Sequence, residues 1–205
     1  MDKELKQRLA KKVLALKKMD ANIGKLKYAI SRDLTKGDEK DKLTALVIRT
    51  MFFTSERVGN SISAKVGHHG ITNLKPKHVK INGNKITLKY KGKSGVDHEK
   101  SFTDKTSASI YKTLLGNKGY LFTTSDGFRI KPDRVNRYLK PFGLKSKDIR
   151  GYNANNMMKF ALNQHFVYYG RVEEKKRAKV FNEILRKVAG KVGHTPATLR
   201  THYLM

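Results

Sequence analysis

His78-Val79-Lys80-Ile81-Asn82-Gly83-Asn84-Lys85-Ile86-Thr87-Leu88-Lys89-Tyr90 reads unlike the chain on either side of it. Apolar and basic residues alternate on both arms, the period of a strand with one buried face, and Asn82-Gly83-Asn84 between them predicts a tight hairpin turn. Lys91-Gly92-Lys93-Ser94-Gly95 predicts a second turn, leading into a third strand from Asp97 to Phe102. The middle of the chain is therefore a small antiparallel sheet with a basic outer face.

Working outward, the apolar spacing becomes helical. Leu5, Leu9, Val13 and Leu16 predict a first helix and Ile23, Leu26, Ile30 and Leu34 a second. After the break at Lys36-Gly37-Asp38, Asp41 is placed to cap a third through Leu43, Leu46, Val47 and Met51. On the other side, a helix follows Asp104 with Ile110, Leu114 and Leu115. Tyr120-Leu121-Phe122 reads as a buried edge or connector, and Lys131-Pro132 suits a helix start. Ser146 is placed to cap a helix carrying Ile149, Tyr152, Met157 and Phe160. Glu173 to Ala189 forms another, punctuated by Gly190 and Gly193, and Thr195-Pro196 opens a last short one. The fold class expected is mainly α with a small antiparallel β insert (α+β). It forms one domain over residues 1–205, in which 1–36 make a semi-separate helical lobe and 37–205 the core.

The 205 residues include 45 Lys and Arg against 17 Asp and Glu, a formal charge of +28. That balance calls for a polyanionic partner, and basic residues spread along the whole chain favour nucleic acid over an anionic membrane. No apolar run reaches the roughly 20 residues of a membrane span and no secretion signal opens the chain, so a soluble intracellular protein is expected, located wherever its DNA is. The absence of cysteine excludes disulfides, thiolate nucleophiles and Cys-ligated zinc. His68, His69 and His78 have no acidic or Cys neighbour in sequence, so no metal site is expected.

Four segments place a cation or a nucleophile beside a turn or a cap: Glu56-Arg57-Val58-Gly59-Asn60, Lys91 to Gly95, Asp148-Ile149-Arg150-Gly151-Tyr152, and Val192-Gly193-His194-Thr195-Pro196 followed by Tyr203. Singly each has an ordinary reading: a solvated Arg, a helix-capping His, a Tyr packed on the last helix. In order, with Thr50-Met51-Phe52-Phe53 before the first and Leu74-Lys75-Pro76-Lys77-His78-Val79 leading into the hairpin, they resemble the catalytic domain of type IB DNA topoisomerases, the compact poxvirus-like kind in particular. The resemblance runs from about residue 10 to the end.

The resemblance implies a DNA breaking–rejoining, tyrosine-recombinase-type catalytic fold and a role for each group. Tyr203 is the nucleophile that forms a 3′-phosphotyrosyl link. Arg57, Arg150 and His194 hydrogen-bond the non-bridging phosphate oxygens, and Lys93 is the general acid for the departing 5′-oxygen. Lys93 is preferred to Lys91 by the Gly-Lys match alone. The chemistry is coherent on its own terms. Five-coordinate phosphorus gains equatorial negative charge, which permanently charged guanidinium forks match, each such preorganised donor being worth about 10²–10³ in rate. A leaving alkoxide needs a proton, which a Lys can supply. The implied enzyme relaxes supercoiled DNA with no metal, cofactor or nucleotide, as a monomer on double-stranded DNA. Further DNA contacts are expected from Asn60, Lys75, Lys77, Lys80, Lys89, Lys91, Asn153 and Arg200, and His98 and His202 are expected to be surface or supporting residues.

Two departures from the family pattern stand out: nothing resembles its N-terminal β-rich clamp domain, and the chain stops two residues after Tyr203, which leads one to expect a mobile Tyr203 before DNA binds. The runner-up is a tyrosine recombinase or integrase, which uses a similar residue set but usually exchanges a C-terminal tail and carries His where Asp148 stands. A non-catalytic DNA-binding module that keeps the scaffold would have lost one of the five groups, and none is missing. A basic RNA- or ribosome-associated protein is suggested by charge alone.

Overall fold

The computed structural model describes residues 3–204; the side chains of Lys3, Leu5, Arg8, Ser61, Ser63 and Ser94 lie outside the described set, so the place of Leu5 in the first apolar stripe is not assigned. The two helices expected at the start are one: α1 runs unbroken over Lys3–Lys36. Its stripe of Met19, Leu26, Ile30 and Leu34 is buried in the main core. Gly37 ends it. Asp38, not Asp41, caps α2 (Glu39–Thr54), accepting the Asp41 N–H at 2.7 Å; Asp41 sits inside the first turn, where its N–H is one of the donors a cap must satisfy.

After a short helix α3 (Ser61–Lys65) come β1 (Val79–Asn82), β2 (Lys85–Lys91) and β3 (Asp97–Thr103), in the order β1-β2-β3 and antiparallel throughout. Asn82 pairs with Lys85, leaving Gly83-Asn84 as the two-residue turn. Ile86, Leu88 and Tyr90 point into the core, while Lys80, Lys89 and Lys91 point out. The outer face is less basic than its Lys residues suggest, because register sets Glu99 opposite Lys89, with a 3.3 Å ion pair, and Asp97 opposite Lys91.

Asp104 caps α4 (Lys105–Leu114), accepting the Ser107 N–H. Tyr120-Leu121-Phe122 is the buried connector: Leu121 and Phe122 are fully buried, with the Leu121 N–H on the Leu74 carbonyl. α5 (Pro132–Leu139) starts at Pro132 as expected. α6 (Ser146–Tyr169) begins one residue after Lys145, whose N–H is accepted by Asp148; Ser146 is inside the helix and not its cap. Phe160 is 67% exposed and packs in no core. α7 (Glu174–Val192) ends at Gly193, φ 72°, in the left-handed region open to glycine, and Thr195 caps α8 (Pro196–His202).

The buried residues form two clusters. The larger joins α1, α2, the sheet, α4, α5 and the start of α6, up to Ile149. The smaller holds Ala154 and Met158 of α6 with Ile184, Leu185 and Val188 of α7, Leu199 and Leu204. Arg150 stands on α6 at the seam between them. Among the described residues no helix is long and apolar enough to cross a membrane.

Candidate active site

Each of the five groups is delivered by a local structure that the sequence dictates. α2 closes on Ser55, which takes a left-handed turn (φ 58°), and the chain emerging from it is laced to the loop before the sheet. The Ile71 and Thr72 N–H groups bond the Arg57 and Val58 carbonyls at 2.9 Å each. Gly59 (φ 113°) lies so close to this loop that a Cβ on Gly70 would be 2.5 Å from its Cα. Arg57 thus projects from a doubly anchored segment. Lys93 is exposed on the turn between β2 and β3, which the Gly92 N–H closes onto the Val96 carbonyl at 2.7 Å. Arg150 is 2% exposed and donates from Nη2 to the Val192 carbonyl at 2.8 Å, tying α6 to the end of α7. His194 follows the Gly193 cap, its N–H on the Ala189 carbonyl.

Tyr203 is anchored and half-buried, against the expectation of a mobile tail. Its carbonyl accepts the Asn155 amide at 2.7 Å, the neighbouring Leu204 is buried, and the Lys12 ammonium reaches the Leu204 carbonyl at 3.1 Å. A cation on the C-terminal carbonyls of a helix satisfies groups that have no intrahelical partner.

Arg57, Lys93, Arg150 and Tyr203 line one cavity of about 560 Å³, together with Asn60, Lys147 and His202. His194 joins the group through the Tyr203 ring, 4.7 Å between centroids, and the Arg150 guanidinium carbon lies 5.5 Å from that ring's centre. Three buried nitrogens here have no hydrogen-bond partner: Arg150 Nε and Nη1, and His194 Nε2. An unsatisfied buried polar group costs about 1–3 kcal/mol. Arg49, Arg129 and Arg134 also bury an unpartnered Nε, so what marks this site is that three such nitrogens lie together around the Tyr203 ring, where an anion with several oxygens would accept from the guanidinium and, with the imidazole proton on Nε2, from His194 as well. Burial holds the Arg150 guanidinium below its usual range, Tyr203 opposing and Arg57 adding to the effect. Burial, then the charges of Arg150 and Arg57, lowers His194 to about 4. His194 is therefore a neutral imidazole at neutral pH and offers a hydrogen bond, not a charge.

The expected DNA contacts divide. Lys77, Lys80, Lys89 and Lys91 are exposed on the sheet and the turn before it, and Lys75 is half-buried. Asn60 is exposed beside the cavity, with its carbonyl oxygen accepting the Asn73 amide and its side-chain oxygen accepting the Ile62 N–H. Arg200 is exposed over the Phe181 ring and does not line the cavity. Asn153 differs from the others: it is buried, and its amide nitrogen lies within hydrogen-bond distance of the Met51 and Phe52 carbonyls and Ser55 Oγ. Its donors are spent on the end of α2, the turn that presents Arg57. His69 and His78 have protein partners, the Asn73 carbonyl and the Lys75 N–H.

Sequence reasoning missed Lys147 and Asn155 as neighbours of the reacting groups. Lys147 precedes Arg150 by three residues, a spacing that puts both on one helix face and makes it legible. Asn155 meets the Tyr203 carbonyl only because α8 folds back on α6, which no local pattern announces.

Several known proteins are similar to this chain. Vaccinia virus (strain Copenhagen) DNA topoisomerase 1B is 28% identical over 166 residues, covering 78% of this chain and 49% of its own length. Acanthamoeba polyphaga mimivirus DNA topoisomerase 1B is 26% identical over 203 residues, covering 90% and 59%. The chain thus spans about half the length of the curated relatives it matches. Among solved structures, the XerH site-specific recombinase in its post-cleavage complex with palindromic difH substrate superposes with a TM-score of 0.52. It has 16% identity over 86% of this chain and 46% of its own, a likeness of fold. The family described as eukaryotic DNA topoisomerase I, catalytic core, matches residues 3–204. A match across nearly every residue places this chain in the eukaryotic DNA topoisomerase I catalytic-core family.

Proposed function

We propose that this chain relaxes supercoiled duplex DNA by transient single-strand cleavage through a 3′-phosphotyrosyl intermediate, without nucleotide or metal, acting as a monomer wherever its DNA is held. The observation that carries the reading is the set of unpartnered buried nitrogens, Arg150 Nε and Nη1 and His194 Nε2, grouped around the Tyr203 ring. A scissile phosphate in the cavity gives them acceptors. Tyr203 Oη attacks phosphorus and loses its proton to solvent. The P–O5′ bond breaks, and Lys93 protonates the departing oxygen. Arg57, Arg150 and His194 stabilise the charge that grows on the equatorial oxygens. The phosphotyrosyl bond conserves the energy of the phosphodiester, so attack by the 5′-hydroxyl reverses the reaction once the strand has rotated.

Duplex DNA is the substrate this charge distribution fits, with Lys77, Lys80, Lys89 and Lys91 contacting backbone phosphates outside the cavity. The likeness of fold to a site-specific recombinase sustains one competing reading, strand exchange by the same covalent chemistry. Asp148 bears on it: the carboxylate is committed to the Lys145 N–H at the start of α6, a structural duty. Incubation with supercoiled plasmid in EDTA and without ATP tests the proposal. Relaxation of both positive and negative supercoils is expected. A covalent adduct with no relaxation, but with joining of separate duplexes, would favour recombination, and DNA binding with neither would favour a non-catalytic module.

A further inference from the structure

Behind the cavity lies a second group of polar side chains that the five catalytic roles do not use. Glu56 is 1% exposed. One of its carboxylate oxygens accepts the Tyr90 hydroxyl and the other accepts His98 Nδ1–H, both at 2.8 Å. Tyr90 and His98 are register partners across β2 and β3, their rings stacked at 5.4 Å and 10°. Burial pushes the Glu56 carboxyl up, but the His98 and Tyr90 hydrogen bonds and the charge of Arg150 outweigh it, so it stays below the usual carboxylate range. A carboxylate can only accept, which places the proton on Nδ1 and fixes the ring.

The far side of that ring faces the catalytic turn. A Cβ on Gly92 would lie 2.5 Å from both Cδ2 and Nε2 of His98. Gly92 has ordinary extended backbone (φ −91°), so contact, not conformation, demands glycine there. A Cβ on Gly193 would lie 3.1 Å from His98 Cε1. One imidazole is therefore wedged between the residue before Lys93 and the residue before His194, and the carboxylate that fixes it is the residue before Arg57. A crevice of about 40 Å³ is lined by Glu56, Arg57, Gly92, Lys93 and His98 among others. The tightest of these contacts is with the Lys93 turn.

We propose that Glu56, acting through His98, is a positioning residue for the reaction: it locks the imidazole on which the Gly92-Lys93 turn rests and so sets where the Lys93 ammonium meets the leaving oxygen. The inference rests on the reading of Lys93 as general acid. The turn is otherwise exposed and carries a long flexible side chain, for which a rigid backing determines reach. His98 supplies that backing through its ring, and Glu56 through the one bond that stops the ring from rotating.

The test compares single-turnover cleavage of two duplexes, one with the natural 5′-oxygen at the scissile phosphate and one with sulfur in that bridging position. A thiolate leaves without a proton, so loss of general-acid catalysis is felt only with oxygen. Glu56→Ala removes the acceptor of both donors, which a Gln could keep by accepting from His98 and donating to the Tyr90 hydroxyl; His98→Ala removes the wedge. Each is expected to slow the oxygen substrate by about 10²-fold and the sulfur substrate by less than about threefold, with DNA binding retained. Should Glu56→Ala not fold, His98→Asn, which keeps a donor for Glu56 but lacks the ring edge facing Gly92, carries the same comparison. Equal slowing of both substrates, or no slowing of either, would overturn the inference. Lys93→Ala is the internal standard. If it is rescued by sulfur and the Glu56 and His98 variants are not, positioning alone is refuted; if it is not rescued either, the general-acid reading falls and the inference with it.

Discussion

Arg150 and His194 have their hydrogen-bonding capacity reserved for something the folded chain does not supply. Three unpartnered nitrogens are a stability cost that an apolar packing would avoid, and they become useful when an anion arrives. Arg150→Lys keeps a charge but loses the fork that reaches both the Val192 carbonyl and a phosphate, so cleavage is expected to fall by at least about 10²-fold with DNA affinity little changed, as single-turnover kinetics beside a binding titration will show. His194 yields a signed pH prediction. Its folded value is depressed to about 4, as is that of His78, where burial and then the His69 charge are the causes, whereas an unfolded His titrates near about 6.5. Between those values the unfolded chain binds more protons, so this contribution to stability is complete above about pH 6.5 and is lost as pH falls toward 4. The urea midpoint of the free protein should drop on acidification from pH 7.5 to 5, and by less in His194→Asn. These five groups were legible because their neighbours in sequence are distinctive. The hydrogen bonds of Glu56 and Asn153 were not, since a carboxylate just after a helix or an amide within one reads as solvated until the facing element is known.

At the scale of elements, the reaction centre depends on how α2 ends. Ser55 adopts a left-handed conformation that costs a non-glycine residue energy, and the Asn153 amide holds it by binding Ser55 Oγ and two α2 carbonyls from the opposite helix. Asn153→Ala is expected to lower stability by about 1–3 kcal/mol in urea unfolding and to slow cleavage through Arg57. Asn153→Asp, which sets an acceptor against two carbonyls, should be worse on both counts. The sheet, α4, α5, α7 and α8 were all readable from period and caps. The errors fell at junctions: α1 read as two helices because Lys residues interrupt its stripe, and Asp41 reads as the cap, with Asp38 in the break, because only backbone geometry separates a cap from a first turn. The sheet's outer face keeps an excess of Lys but is less basic than expected, for a different reason. Register, which a single strand's pattern does not contain, brings Glu99 and Asp97 across from Lys89 and Lys91.

For the whole molecule, under the proposed function, encounter with DNA falls to the net charge of +28 and the chemistry to the cavity. Phosphate contacts release counterions, so a surface making six to ten of them should lose about 10³–10⁵ in affinity between 50 and 200 mM salt. Fluorescence anisotropy across that range measures the slope. Lys80→Ala should reduce it by about one and affect all DNA sequences alike, whereas Tyr203→Phe should leave it unchanged. The exposed Lys89–Glu99 pair opposes little, since such surface pairs are worth under about 1 kcal/mol. The central claim is that this surface delivers a backbone phosphate to Tyr203. Cleavage of a nicked duplex that traps the covalent intermediate, followed by mass spectrometry of the nucleotide-bearing peptide, tests it most directly. A nucleotide on Tyr203, joined through its 3′-phosphate, is the predicted result; an adduct on any other residue, or firmly bound DNA with no adduct, would contradict it.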